Sequence, residues 1–130
     1  MLEYDFNQAA LKGKNLLVAG GTGGLGRAVV ALLARDGANL LVGFRDKRDR
    51  ALELQESLQT HHAVEIGIVG GDISTAEGRS QYLKAVREME GALYGLVCLT
   101  GDPARVKFDQ ATDQDIQDSM AVNYAGPILL

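Results

Sequence analysis

A short glycine-rich segment is the part of this chain whose residue types point most directly to chemistry. Five glycines stand within the seven residues from Gly20 to Gly26, after the apolar residues 16–19 and before an apolar stretch that begins at Ala28. Glycine loses much conformational entropy on folding, so this density is expected where the backbone takes positive φ or presses against a bulky group. The N–H groups and the dipole at a helix start attract anions. We therefore predict a turn that binds the pyrophosphate of a dinucleotide.

The spacing of these glycines fits more than one nucleotide-binding pattern. Gly21, Gly23 and Gly26 match G-x-G-x-x-G, and other choices from the same run match G-x-x-G-x-x-G and G-x-x-x-G-x-G. Such a match gains weight from its context, here a predicted strand before the turn and a predicted helix after it. A loop that only turns the chain is the alternative. The residues of this turn that we expect to contact a nucleotide are Gly20, Thr22, Gly23, Gly24, Leu25 and Gly26.

The end of the second predicted strand bears on which nicotinamide cofactor binds. An acid there hydrogen-bonds the 2′-hydroxyl of the adenosine ribose, whereas an arginine accommodates a 2′-phosphate. Phe44 takes the place of the acid, Arg45 follows, and residues 45–50 carry four positive and two negative charges. A solvated, basic helix start is the alternative, but positive charge there opposes the helix dipole. Because the guanidinium suits a bidentate phosphate contact, we predict NADP(H) rather than NAD(H).

Composition and charge narrow the class of protein. The 130 residues are 46% hydrophobic and 23% charged, so we expect a globular chain in which residues 1–130 form one dinucleotide-binding domain or part of one. A net charge of −4 argues against a nucleic-acid-binding protein. No apolar run reaches the length of about 18 residues that a membrane span needs, and the N-terminus, with Glu3 and Asp5, does not resemble a secretory signal. We expect a cytoplasmic protein that contacts neither membrane nor nucleic acid.

The distribution of charge and the few metal-ligating residue types add to this interpretation. Residues 1–50 hold eight Lys and Arg against five Asp and Glu, so positive charge is concentrated where an anionic cofactor is expected.

Cys98 lies in an apolar run and is expected to be buried and unreactive. His61 and His62 fall at the end of a predicted helix and are expected to face solvent. We predict no metal site.

Apolar runs alternate with segments of helical periodicity along the whole chain. This alternation predicts an α/β fold of the Rossmann type, a doubly wound parallel sheet with right-handed crossovers. Short apolar runs predict strands that are buried on both faces, at residues 16–19, 39–44, 64–69 and 94–100. Helices are predicted at residues 25–35, 47–59, 75–88 and 113–129.

Helical spacing also predicts which residues face the sheet. Three stripes are expected to be core: Ala51, Leu54 and Leu58; Tyr82, Val86 and Met89; and Ile116, Met120 and Tyr124. Ser74 and Glu77 fit an N-capping box for the third helix, and Gly37 is expected to close the first.

Taken together, these segments resemble the short-chain dehydrogenase/reductase (SDR) family over almost the whole chain. Residues 11–14, Leu-Lys-Gly-Lys, lead into the first strand as in the family, and residues 19–26 match its T-G-x-x-x-G-x-G motif with Ala in place of Thr. Arg45 stands at the NADP-type position. Residues 71–73, Gly-Asp-Ile, resemble the acidic element after the third strand, and residues 121–126, Ala-Val-Asn-Tyr-Ala-Gly, resemble the fourth-helix segment of the family.

The resemblance implies roles for individual residues. It places Gly20, Gly24, Leu25 and Gly26 at the pyrophosphate and Arg45 at the 2′-phosphate. Asp72, followed by Ile73, stands where the family holds the adenine amino group, although an Asp before a helix is also a common turn residue. The family's N-N-A-G segment is here Cys98-Leu99-Thr100-Gly101, in which only the glycine matches. An apolar pair and a hydroxyl thus replace the side chains that brace the central sheet. The resemblance also adds Ile73 and Gly101 to the residues expected to contact the cofactor.

Asn123 matches the asparagine of the family's catalytic tetrad. Pro127 has no N–H to donate to the Asn123 carbonyl, as a continuous α-helix would require. That carbonyl is then left free, and in the family it is thought to hold a water that links the catalytic lysine to solvent. A kink or the end of the helix is the alternative explanation of Pro127.

The remaining catalytic residues of the family, a Ser and a Tyr-x-x-x-Lys, are absent from these 130 residues, because none of the four tyrosines has a lysine four residues later. The chain therefore resembles the N-terminal half of an NADP(H)-dependent oxidoreductase that acts on a small carbonyl or alcohol, truncated within the fourth helix and inactive alone. A non-catalytic NADP(H)-binding module is the alternative. With strand order 3-2-1-4 the fourth strand becomes an open edge, so we expect a homo-oligomer or a complementing C-terminal segment.

Overall fold

The computed structural model of this chain describes residues 9–102 and 106–130. The acidic N-terminal residues Glu3 and Asp5 lie outside the described residues. Four strands form one parallel sheet with the order β3-β2-β1-β4, which confirms the predicted fold class. The strands are β1 (Asn15–Ala19), β2 (Asn39–Phe44), β3 (Ile66–Gly70) and β4 (Leu93–Cys98). The helices are α1 (Gly24–Arg35), α2 (Arg48–His61), α3 (Ala76–Arg87), α4 (Asp113–Met120) and α5 (Gly126–Leu129), with a 3₁₀ turn at Phe108–Gln110 and a π-helical turn at Ala121–Ala125.

The central strands β1 and β2 are buried on both faces, as their continuous apolar sequences predict. Alternate side chains point to opposite faces of a sheet. Leu16, Val18 and Val42 pack with α1 and α2 on one face, whereas Leu17 and Leu41 pack on the other face with Tyr82 of α3. Helices thus cover both faces at the centre of the sheet, and the carboxyl ends of the strands meet along one edge of it.

Two of the three predicted apolar stripes are confirmed. Ala51, Leu54 and Leu58 of α2 are buried, and Tyr82 of α3 is buried with Val86 and Met89 packed against its cluster.

The prediction that β4 and the last helical segment are buried was wrong. Tyr94 of β4 is 62% exposed, and Ile116, Met120 and Tyr124 are 59%, 52% and 60% exposed. β4 pairs with β1 on one side, and within the described residues no strand pairs with its other side. Side chains that a further layer would cover therefore stay in solvent, in agreement with the open edge expected from the strand order.

The start of α3 differs from the predicted capping box. Thr75, and not Ser74, is the N-cap, and its Oγ1 accepts a hydrogen bond from the Gly78 N–H at 3.0 Å. Ser74 instead donates its backbone N–H and its hydroxyl to Asp72. The carboxylate of Asp72 thus holds Ser74 in the preceding turn, and the helix begins one residue later than predicted.

The predicted fourth helix, residues 113–129, divides into α4, the π-helical turn and α5. Gly126 donates its N–H to the Ala121 carbonyl five residues earlier, and Pro127, which has no N–H to donate, follows directly in the first turn of α5. A Cβ on Gly126 would lie 2.9 Å from the Ile73 carbonyl oxygen. Because Gly126 lacks a side chain, the widened turn packs closely against the loop after β3. The predicted free carbonyl of Asn123 stays a prediction.

Candidate cofactor-binding site

A cleft of about 230 Å³ lies at the carboxyl ends of the four strands. In open α/β sheets, ligands bind where neighbouring strands lead to helices on opposite faces, which here is the crevice between β1 and β4. The lining includes seven of the residues predicted from the sequence: Gly20, Thr22, Gly23, Arg45, Asp72, Ile73 and Gly101. The sequence therefore predicted residues from four separate segments that the fold brings together.

The β1–α1 turn lines this cleft with Gly20, Thr22 and Gly23, whereas the predicted residues Gly24, Leu25 and Gly26 are not part of the lining. Gly23 is the N-cap of α1, and Gly24, Leu25 and Gly26 are its first three residues. The N–H groups of the first helical turn have no partner within the helix. Leu25 is 69% exposed, and a Cβ on Gly24 would meet nothing within 4 Å. The start of α1 is thus open to an anion.

The glycines of this turn have two different functions in the structure. Gly20 has a φ of +79°, and a Cβ on it would lie 2.8 Å from the carbonyl carbon of Leu99. A Cβ on Gly26 would overlap the Gly20 carbonyl oxygen. Gly20 therefore lets the segment after β4 approach the turn closely, and Gly26 does the same for α1, whereas Gly23 and Gly24 keep the outer side of the turn free.

Arg45 lines the cleft directly after β2. Its Nε donates to Oδ2 of Asp46 at 2.9 Å, and both side chains are exposed. The hydrogen bond and charge of Asp46 raise the pKa of Arg45, and the carboxylates of Asp72 and Asp102 act in the same direction. Lys47 also lines the cleft. The cation predicted to bind a 2′-phosphate is therefore already paired with a carboxylate.

Asp72 follows β3 and is held by its neighbour. Its Oδ1 accepts the Ser74 hydroxyl at 2.7 Å and the Ser74 N–H at 2.9 Å. The hydroxyl contributes most to lowering the pKa of Asp72, and Arg45 lowers it further by its charge. Within the described residues neither bond uses Oδ2, so the ionised carboxylate has an acceptor oxygen for a ligand.

Asn123 lies beside the cleft, where its neighbour Val122 forms part of the lining. The Asn123 side chain holds the loop that follows β4: Oδ1 accepts from the Asp102 N–H at 3.2 Å, and Nδ2 donates to the Asp102 carbonyl at 2.9 Å. Nδ2 also donates to the Ser119 carbonyl at 2.9 Å. A Cβ on Gly101 would lie 3.0 Å from Oδ1. The amide therefore fixes the rim of the cleft to the helical segment.

Eight of the lining residues were not predicted as part of the site, and two of them, Tyr82 and Thr100, have unusual surroundings. Tyr82, predicted only as core, forms part of the cleft wall, and a Cβ on Gly43 would overlap its ring. Burial raises the pKa of Tyr82 to about 12, so it is a neutral phenol. The hydroxyl oxygen of Thr100 is buried, with no hydrogen-bond partner among the residues that the structure describes. A glycine inside a strand indicates that another group packs closely against it. Gly43 of β2 could therefore have predicted that a bulky side chain, here Tyr82, packs against this strand.

Metal-ligating groups and membrane-length helices can be assessed for residues 9–102 and 106–130. These residues contain no group of three or more His, Cys, Asp or Glu side chains arranged to hold a metal ion. None of the helices described is long and apolar enough to cross a membrane.

Comparison with known proteins places the chain in a family. The family model for short chain dehydrogenases matches residues 14–130. Glucose 1-dehydrogenase of Gluconobacter oxydans is 30% identical over 117 residues, which are 90% of this chain and 44% of that protein. L-xylulose reductase of Caenorhabditis elegans is 30% identical over 127 residues, 98% of this chain and 47% of that protein.

A solved structure agrees with these relatives. The L-sorbose reductase of Gluconobacter frateurii, determined with NADPH and L-sorbose, superimposes with a TM-score of 0.86 at 25% identity, over 93% of this chain and 46% of that one. The chain thus spans less than half the length of each of these three proteins. It belongs to the short-chain dehydrogenase family.

Proposed function

We propose that this chain forms the cofactor half of an NADP(H)-dependent oxidoreductase that moves hydride between the nicotinamide and a small carbonyl or alcohol. One observation carries the proposal: Gly23, the N-cap of α1, and Arg45, which follows β2, line the same cleft. Backbone donors at a helix start bind a pyrophosphate, and a guanidinium beyond it binds a second phosphate. NADP(H) has both groups.

The remaining lining residues fit the other parts of that cofactor. Asp72 would accept a hydrogen bond from the adenine amino group, with Ile73 against the ring, and Gly101 would leave room for the nicotinamide half beside Asn123. The relative crystallised with NADPH supports the choice of cofactor. The names of the relatives, a glucose dehydrogenase and an L-xylulose reductase, support a substrate with a carbonyl or hydroxyl group.

We assign Asn123 to the catalytic end of this site, as the family resemblance implies. In this chain its amide links the rim of the cleft to α4 through Asp102 and Ser119. Hydride chemistry is supplied by the bound cofactor. The part of this chain is to bind the cofactor, orient it by backbone donors at α1, and hold the loop after β4 in place.

The test is a binding titration of the protein that carries this chain, with Arg45 replaced by Asp. We expect R45D to weaken NADPH binding by about 10-fold or more, the size of a lost charge-assisted hydrogen bond, and to change NADH binding much less. The matched control is Arg50→Asp, which makes the same change in charge on α2 at a residue that does not line the cleft. An equal loss for both cofactors would contradict the assignment of Arg45.

A non-catalytic NADP(H)-binding module is the second candidate. Assays of NADPH oxidation with small aldehydes and ketones separate the two. Turnover by the protein that carries this chain supports the enzyme, whereas binding without turnover supports the module.

The open edge of the sheet supports a partner for this half. Leu93, Tyr94 and Leu96 of β4 are 40%, 62% and 41% exposed, and an unpaired, apolar edge strand favours association. We propose a second copy of the chain or a complementing C-terminal segment as that partner. Sedimentation of the 130-residue chain should show an assembly larger than a monomer, and a stable monomer would favour the complementing segment.

A further inference from the structure

We propose that Asp46 sets the cofactor selectivity of this site, because it competes as an internal anion with a 2′-phosphate for Arg45. The inference rests on the proposed function, that the cleft binds a nicotinamide dinucleotide. Asp46 was not among the site residues predicted from the sequence. Arg45 favours NADP(H), whereas Asp46 weakens that preference.

The ion pair between Arg45 and Asp46 stands in the wall of the cleft itself. Both residues line it, and the distance from Arg45 Nε to Asp46 Oδ2 is 2.9 Å. The side chains are 58% and 69% exposed, so a ligand can reach both and the pair can separate. A 2′-phosphate that approaches Arg45 therefore meets a guanidinium already bound to a carboxylate.

The other acids near Arg45 do not compete in the same way. Asp72 acts on Arg45 through its charge, but its hydrogen bonds go to Ser74. Asp102 also acts by charge, from the loop after β4. Asp46 alone among these three forms a hydrogen bond with Arg45 in the contacts described. Once displaced, its carboxylate stays beside the phosphate as a like charge.

The ribose of NAD(H), which has no 2′-phosphate, is expected to interact favourably with the carboxylate of Asp46. Its 2′-hydroxyl is a donor, and the carboxylate of Asp46 is an acceptor one residue beyond the guanidinium. The same pair of side chains thus offers a cation to NADP(H) and an acceptor to NAD(H). We expect the natural protein to bind both cofactors, with a modest preference for NADP(H).

Asp46→Asn isolates this effect, because the amide keeps the shape of the side chain and removes its charge. We expect D46N to bind NADPH about fivefold more tightly, the upper range for opening one exposed ion pair, and NADH equally or more weakly. Adenosine 2′,5′-bisphosphate, which carries the 2′-phosphate without the nicotinamide half, should gain as much as NADPH. High salt should reduce the gain, since the charges are exposed.

Asp49→Asn is the matched control. Asp49 lies in the first turn of α2 and does not line the cleft, so D49N makes the same change in net charge without opening the pair. Calorimetric titrations of both variants with NADPH, NADH and adenosine 2′,5′-bisphosphate test the inference. A gain in NADPH affinity for D46N alone supports it. An unchanged affinity for D46N, or an equal gain for D49N, overturns it while the proposed function stands. If the natural protein binds neither cofactor, the proposed function is overturned and the inference with it.

Discussion

Replacement of Gly26 by Ala should destabilise the protein through the β1–α1 turn. A Cβ at this position would overlap the Gly20 carbonyl oxygen and lie 2.8 Å from the Cα of Gly21, and both contacts are with backbone. Backbone atoms cannot turn aside as a flexible side chain does, so α1 must move away from β1. Overpacking of this kind costs about 1 to 3 kcal/mol, and we expect about 2 kcal/mol.

Gly24→Ala is the matched control for this prediction. It makes the same chemical change two residues earlier in α1, where the added Cβ meets nothing within 4 Å. Alanine also favours a helix over glycine by up to about 1 kcal/mol, so G24A should be neutral or slightly stabilising.

Thermal and denaturant unfolding, followed by far-ultraviolet circular dichroism, measures both variants. A loss of about 2 kcal/mol corresponds to a fall in Tm of roughly 7 °C for a chain of this size. We expect that fall for G26A and no fall for G24A. If G26A proves as stable as G24A, the turn does not pack as described, and the separate functions of its glycines are refuted.

Two further changes test the buried and charged groups of the cleft. Thr100→Val should raise the free energy of unfolding by about 1 kcal/mol in denaturant titrations, because a methyl group replaces a buried hydroxyl that has no partner in the described structure; a loss of stability would show that the hydroxyl is satisfied. Ser74→Ala should raise the pKa of Asp72 towards its ordinary value in an NMR titration of the carboxyl carbon, because the Ser74 hydroxyl contributes most to lowering it. Since the folded-state pKa is lowered, the stabilisation from Asp72 is present above its unfolded-state pKa of about 4 and is lost as the pH falls through the folded-state value. The acid side of the stability profile should therefore be less steep in S74A, and an unchanged pKa would contradict the assigned bond.

Local sequence was enough to predict the elements that position the site. Two apolar strands, at residues 16–19 and 39–44, and the glycine-rich turn at residues 20–26 are each recognisable from their own residue types. No knowledge of distant contacts is needed to predict them. The order of the strands in the sheet came from the family resemblance, and this order brings Arg45 and Asp72 together in one cleft.

Features that depend on distant or competing contacts were not predicted. The exposure of Tyr94 and Ile116 depends on which segment covers β4 and α4, not on their own periodicity. The Leu99 backbone lies close to Gly20 only in the folded chain, so the sequence does not distinguish a glycine that packs closely from one that faces open space. Ser74 matched a capping pattern, but Asp72 competes for its hydroxyl.

The most direct test of the central claim is a calorimetric titration of the protein that carries this chain with NADPH, beside its R45D variant. We predict saturable binding of one NADPH per chain and an affinity for R45D that is lower by about 10-fold or more, because Arg45 then no longer binds the 2′-phosphate. No binding of NADPH, or equal binding by both proteins, would contradict the assignment of this cleft as an NADP(H) site.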